Sequence, residues 1–426
     1  MINLKVPAMA VLVSLSLHCL ADSNSADISQ EGDNNDAMIE QLIGTVNTQA
    51  AIEQLGNDNI GLIQQQGDNG SQANLYQEGT ANEARLYQAG NGSSNFIDLK
   101  QQGQGNTASI SQGQSSYSHT FSGLQQGDNN TLNVVVNGGE QSGLSTSSIG
   151  NNNSIEVQGG YRTFGIIEQL GDRNEALFSL SGSGGLNQQG NDNKARIEGS
   201  NEGDLTVSQE GSDNDLQVVQ GTYLGGELIG STVGNNNSAN IKQYGDYDAR
   251  LDYRQNGDGN QLSLYQSNAL GGRLQISQTG NNNEMSATQQ GLGLWIDGST
   301  TGNANRVDII QQAESNGVSY SQSGDGNTLR VDQFGTYASV DSSTAGNNNA
   351  IDISQSGGGS VDVDQSGDIN VARIEQASGY ELSHTATLAQ AGTGNQALIQ
   401  QTVNFEQANS AVLRQTGTGN VATISQ

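Results

Sequence analysis

Three short stretches carry side chains that could hold a metal: Gly-Asp-Asn-Asn at Gly32–Asn35, Gly-Asn-Asp-Asn at Gly56–Asn59 and Gly-Ser-Asp-Asn at Gly211–Asn214. Turns rich in carboxylate and amide oxygens suit a hard cation such as calcium. A calcium β-roll, however, repeats as a nonapeptide with its Asp at a fixed place. Here the Asp comes and goes, and Gly150–Asn153 and Gly280–Asn283 contain only Asn after the glycine. A hydrogen-bonded turn is the plainer expectation, with no metal and no other cofactor.

Catalytic chemistry has less to build on. The histidines are His18, His119 and His384. The first lies in an N-terminal segment expected to be removed. The other two fall in variable segments far apart in the chain, where a solvated ring is expected. The single cysteine, Cys19, shares that N-terminal segment, so the mature chain has no thiol nucleophile. Serine is plentiful, but no Gly-x-Ser-x-Gly precedes a helix pattern, and no helix pattern is evident. An enzyme is not expected. Nucleic-acid binding is disfavoured too, because 15 basic residues against 44 acidic ones repel phosphate. Trp295 and scattered tyrosines such as Tyr76, Tyr87, Tyr265 and Tyr320 form no continuous stacking platform, although some are candidates for adhesion surfaces.

The elements that would position these residues must come from a lean chain. Only 32% of its 426 residues are hydrophobic and 4% aromatic, with 58 glycines and a net charge of −29. Ordinary globular domains use roughly 45–50% apolar residues with Gly counted. A thick core is therefore not expected. The excess acid keeps chains apart during export.

Met1–Lys5 and the apolar run Val6–Leu20, followed by Ala21, read as a secretory signal peptide over residues 1–21. The run is too short for a spanning helix, and the bulky His18 argues against a lipoprotein site at Cys19. Pro7, the only proline, lies in the same segment. No disulfide staples the mature chain, no proline interrupts its strands, and no membrane span is expected in it.

Self-similarity sets the architecture. Gln-x-Gly-x-x-Asn-x-Ala-x-Ile-x-Gln occurs intact at Gln30–Gln41, Gln101–Gln112, Gln365–Gln376, Gln390–Gln401 and Gln415–Gln426. The first position recurs at Gln30, Gln54, Gln77, Gln101, Gln125, Ser148, Gln169, Gln188, Gln209, Thr232, Gln255, Gln278, Thr300, Gln322, Thr344, Gln365, Gln390 and Gln415. That is eighteen units over residues 22–426, spaced by close to 23 residues, and every one keeps the Gly and the Asn. Gly32, Asn35, Gly103, Asn106, Gly280, Asn283, Gly392 and Asn395 are such turn residues, with φ > 0 expected at each glycine.

A second strand in each unit ends at the next unit's Gln, with apolar residues four and two before it, as Ile97 and Leu99 stand before Gln101. One such pair of strands cannot bury its own apolar face, whereas stacked units can. The fold class expected is all-β: a β-solenoid of about eighteen strand-turn-strand coils with two facing parallel in-register sheets. Stacking also explains Gln at inward positions, because a buried amide then meets its equivalent above and below. Asp98, Arg85, Asp308, Asp332, Asp352 and Asp364 fall on the outward parity. Between Gln125 and Gln209 the unit-closing Gln gives way to Val136, Gly159, Leu180 and Gly199, and the spacing drops to 19 from Gln169 to Gln188. Distorted or shortened second strands are expected within Asn137–Asp204.

The repeat pattern resembles the curlin repeat over about Ser25 to Gln426. Curlins are subunits of curli, the extracellular amyloid fibres of Gram-negative bacteria. The resemblance implies a secreted, self-polymerising subunit of a pilus-like surface fibre serving adhesion and biofilm cohesion. It also implies a nucleator subunit and an outer-membrane export channel as partners. Familiar members have far fewer units and carry a Gly/Asn-rich export leader, where only Asp22–Ser25 stands here. No helical cap is evident at either end, which predicts end-to-end growth. The alternative is a monomeric β-solenoid adhesin or ligand-binding rod, with or without calcium in its turns.

Overall fold

The structure, a computed structural model, describes residues 23–426 except 68, 91–93, 114–117, 138–140, 161–162, 201–202, 223–225, 246–248, 268–270, 379–382 and 403–406. The expected signal peptide, with Pro7, His18 and Cys19, lies outside the described residues, as do parts of the variable loops.

Among the described residues every element is a strand, thirty-six in all. They run from β1 (Ser25–Glu31) and β2 (Asp36–Gln41) to β35 (Ser410–Thr418) and β36 (Val421–Ser425). Odd and even strands belong to different sheets, so each odd-even pair is one coil of a β-solenoid. The chain divides into two compact units, Met1–Asn201 and Glu202–Gln426. The first holds eight coils and ends on β15 (Ser183–Gln189) and β16 (Lys194–Ser200). The second holds ten coils and starts at β17 (Asp204–Glu210) and β18 (Asp215–Thr222).

Within each unit, like strands pair in parallel and in register. Ile28 stands opposite Ile52 and Gln30 opposite Gln54, and Leu251 stands opposite Leu274 and Gln255 opposite Gln278. Register is fixed because the side-chain period is two, so a slip by one residue would turn every inward residue outward. The first unit's core carries Ile52, Ile63, Leu75, Leu86, Ile97 and Ile110, each at 2% exposure or less. The second repeats the arrangement with Leu251, Leu264, Ile276, Ile309, Val331 and Ile374.

The low spacing around the seventh coil has a different origin from the one expected. The even strands there, Ser154–Gly159, Glu175–Leu180 and Lys194–Ser200, keep six or seven residues and pair in register. The shortening falls on the connection, since only Ser181 and Gly182 join Leu180 to Ser183. The sheet ladder fixes strand length, so the loop gives way.

Candidate functional site

The most regular side-chain chemistry among the described residues lies in the columns formed where one position stacks on itself. The inward glutamines that end the odd strands form the first column. Of those named above, all are buried except Gln30, which is half-buried. In the first unit, Gln30 Nε2 donates to Gln54 Oε1 at 2.6 Å, and Gln54, Gln77 and Gln101 each donate to the next at 2.8 Å. Ser148 interrupts this run, and its hydroxyl donates to Gln169 Oε1 at 3.2 Å. Gln169 then donates to Gln188 at 2.9 Å.

In the second unit, beyond Gln209, Thr232 takes the rung and its hydroxyl reaches Gln255 Oε1 at 3.4 Å. Gln255 donates to Gln278 at 3.1 Å, and Gln365 to Gln390 and Gln390 to Gln415 at 2.7 Å each. Every donated amide proton here meets an acceptor that would otherwise be buried dry, a penalty of roughly 1–3 kcal/mol per group.

Gln322 departs from the expected stacking. It is buried, but its neighbours in the column are Thr300 and Thr344. Unlike Thr232, neither of these threonines bonds to the neighbouring amide. Gln322 Nε2 and Oε1, Thr300 Oγ1, Thr344 Oγ1 and Gln365 Oε1 all lack a hydrogen-bond partner.

A second amide column runs through the Gln that closes each even strand. It links Gln41, Gln65, Gln88 and Gln112 at 2.9–3.1 Å. It resumes at Gln220 and continues without a break through Gln243, Gln266, Gln289, Gln311, Gln333, Gln355, Gln376, Gln401 and Gln426. The two columns fail at different coils: where Thr300 and Thr344 break the first, the second is intact.

The Asn of each Gly-x-x-Asn forms a third column, which turn chemistry alone does not predict. Asn283 Nδ2 donates to Asn260 Oδ1 at 3.0 Å and to the Gly302 carbonyl at 2.8 Å. Asn260 Oδ1 also accepts the Asn283 backbone N–H at 3.0 Å. Asn106 and Asn395 make the same three bonds with their neighbours, and Asn35 begins the column by donating to the Gly56 carbonyl at 2.7 Å. Both amide protons and both lone pairs of a mid-column Asn are used. This column runs opposite to the glutamine ones. The paired glutamines donate to the following coil, whereas along the asparagine row Nδ2 donates to Oδ1 of the preceding coil, with its other proton on the following coil's glycine carbonyl.

The glycine is required twice over. Gly32, Gly103, Gly280 and Gly392 have φ of +114°, +121°, +111° and +117°, where a side chain is strained. A Cβ on Gly103 would also sit 2.1 Å from the Gly127 carbonyl oxygen. Asp and Asn in the turn have local work as well. Asp128 N–H donates to Asn151 Oδ1, and Asn151 N–H to Asp172 Oδ1. Asn34 Nδ2 donates to Asp58 Oδ1 at 3.2 Å. Among the described residues no group of three or more His, Cys, Asp or Glu is placed to hold a metal ion.

Three placements correct the sequence reading. His119 and His384 are buried, at 1% and 0% exposure. His384 Nδ1 accepts the Asn409 N–H at 3.0 Å, so its Nε2–H donates to the Ala377 carbonyl. The ring stands in for a side-chain rung at the start of its strand. Tyr320 is not a surface residue: it is 3% exposed, its ring lies over Gly298, and its hydroxyl donates to Met285 Sδ at 3.5 Å. Burial pushes its phenol pKa up. The signal was available, since Tyr320 stands two before Gln322 on the inward parity, and Gly298 is its register partner.

A family model described as curlin associated repeat matches residues 21–48, 69–101 and 302–335. No curated protein matches the chain. The matched segments carry the same Gln, Gly and Asn rungs as the rest of both units. Three matches to this repeat model, on coils stacked in register, show that the chain carries curlin-associated repeats.

Proposed function

We propose that this chain is a secreted, self-polymerising subunit of curli-like amyloid fibres on the bacterial surface, serving adhesion and biofilm cohesion. The curlin repeats and the solenoid point to a structural protein rather than an enzyme. The observation that carries the reading is the self-complementarity of the coil. Each coil offers glutamine amide donors and asparagine acceptors toward the following coil, and glutamine acceptors and asparagine donors toward the preceding one. Two copies stacked coil on coil would continue those columns, and such a heterologous contact does not close, so it generates a filament. The main partner is therefore another copy of the chain. A nucleating subunit and an export channel belong to the same proposal.

Purified mature chain should form fibres that bind thioflavin, seeded by preformed fibres and visible by electron microscopy. Monomers that persist through long incubation with seeds would overturn the fibre reading and leave a solenoid that presents its loops as an adhesin.

A further inference from the structure

The outward face of the odd sheet between Trp295 and Ser366 differs from the other outward faces. It is built by β25 (Trp295–Thr301), β27 (Gly317–Ser323), β29 (Ala338–Ala345) and β31 (Gly359–Asp368). Register places Trp295, Gly317, Ser339 and Ser360 in one row, and Asp297, Ser319, Asp341 and Asp362 in the row beside it. The outward positions of these four strands contain no Lys or Arg. On the even sheet of the same unit several outward carboxylates are paired, as Glu284 with Arg306 at 2.6 Å and Asp332 with Arg330 at 2.8 Å. Asp297, Asp341, Asp362 and Asp364 are exposed, and no hydrogen bond or ion pair to them is found among the described residues.

Trp295, the only tryptophan of the chain, is 42% exposed and lies across Gly317, whose missing side chain leaves room for the ring. Beyond it a shallow cavity of about 320 Å³ runs along the stacking direction, floored by Ser319, Ser339 and Ser360 and edged by Asp341 and Asp362. Arg273 is the register partner of Trp295 on the preceding strand, and its guanidinium donates to Gln275.

We infer that this face binds a linear polysaccharide carrying free amino groups. Each part of the chemistry has a matching group. An indole face takes the apolar face of a sugar ring and attracts an ammonium. Unpaired carboxylates in adjacent strands, about 4.8 Å apart, complement charges repeated along a chain. The serine hydroxyls serve sugar hydroxyls in either direction. The absence of basic residues from the four strands disfavours acidic glycans, and a floor of short side chains leaves a track that a long chain can follow across coils. The inference goes beyond the fibre reading and does not rest on it, because the site lies within one unit of one chain.

The test uses the full mature chain before polymerisation and the fluorescence of its single tryptophan. Chitosan oligomers should shift the emission in a saturable way that weakens with salt. N-acetylated chitin oligomers of the same length should bind at least tenfold more weakly. Asp341→Asn with Asp362→Asn should weaken chitosan binding by about tenfold together. Trp295→Ala, followed by calorimetry, should weaken it by about fivefold. Arg330→Ala on the opposite sheet should leave it unchanged. Equal binding of chitin and chitosan would overturn the amine requirement, and equal binding of spermine would overturn the glycan. Unchanged affinity in both the Asp341/Asp362 and Trp295 variants would overturn the site. Persistence of this binding in chains that never form fibres would separate the site from the fibre proposal.

Discussion

Thr344→Gln is expected to stabilise the second unit, because the rung it restores has both partners waiting. Gln322 Nε2 lacks an acceptor and Gln365 Oε1 lacks a donor, with Thr344 between them in register. The paired glutamines donate to the coil that follows them in chain order. A Gln at 344 would accept from Gln322 and donate to Gln365, and it removes the orphaned Thr344 hydroxyl. Relieving two buried orphans is worth roughly 2–6 kcal/mol. Fixing a long side chain costs about 1.5–2 kcal/mol, and the added atoms cost about 1 kcal/mol or more in packing. The difference spans about −1 to +3.5 kcal/mol and centres on about 1 kcal/mol of stabilisation. Repeat arrays do not unfold in one step, so local hydrogen exchange is the assay rather than a single melting temperature. Amides in Gly317–Ser323 and Gly359–Asp368 should exchange several times more slowly, since about 1.4 kcal/mol is a factor of ten. Thr344→Val removes the hydroxyl without offering an amide. If it protects these strands as well as Thr344→Gln does, or if Thr344→Gln speeds exchange, the reasoning about missing rungs fails.

Gln101→Ala removes an amide with four hydrogen bonds and should cost about 2–4 kcal/mol and slow assembly. Gln322→Ala, whose amide has no partner, and Asp332→Ala, on the outward parity, should both cost less, and equal loss at all three positions would contradict the inside-outside assignment. Gly103→Ala meets both a positive φ and the Gly127 carbonyl, so coils there should fail to stack, seen as lost thioflavin binding. Hydrogen exchange should be faster in Asn137–Asp204, where the second amide column is missing, than in Thr232–Gln376; uniform protection would remove that claim. A hydrogen bond from Gln400, aided by Arg373, holds the Glu375 carboxyl below the usual range. Its contribution is therefore present above the unfolded pKa and lost as pH falls through the lowered value, and Glu375→Gln should flatten that acid limb of the stability curve.

The coil was legible in the sequence because two periods coincide: alternation within strands, and a repeat near 23 residues that returns Gly and Asn in step. What the sequence hid was partners and depth. Thr300 and Thr344 looked equivalent to Gln as hydrogen-bonding residues, but their hydroxyls meet no partner, whereas those of Ser148 and Thr232 each reach the next Gln. Asn35, Asn106 and their equivalents looked like turn residues because Gly-x-x-Asn is turn chemistry. Their constancy, against the Ser and Thr tolerated at the Gln position, was the available sign of a fully used buried amide. Tyr320 and His384 were misplaced for a related reason. Their burial depends on what the adjoining coil gives up: Gly298 under the tyrosine ring, and Asn409 N–H facing the imidazole. Such compensation appears only once the register between coils is known.

The opposed directions of the glutamine and asparagine columns bear on how long such a stack can become. Each column is a head-to-tail row of side-chain amide dipoles. If all three pointed the same way, every added coil would lengthen one macroscopic dipole and sharpen the charge at the tips, as in a long helix. The asparagine row opposes the two glutamine rows, so the field each coil adds is partly cancelled within that coil. The same arrangement forbids an inverted neighbour. Turned over, a coil would bring N–H against N–H in the glutamine rows and oxygen against oxygen in the asparagine row. A polymer on this pattern is vectorial at every joint while its electrostatic asymmetry grows slowly with length.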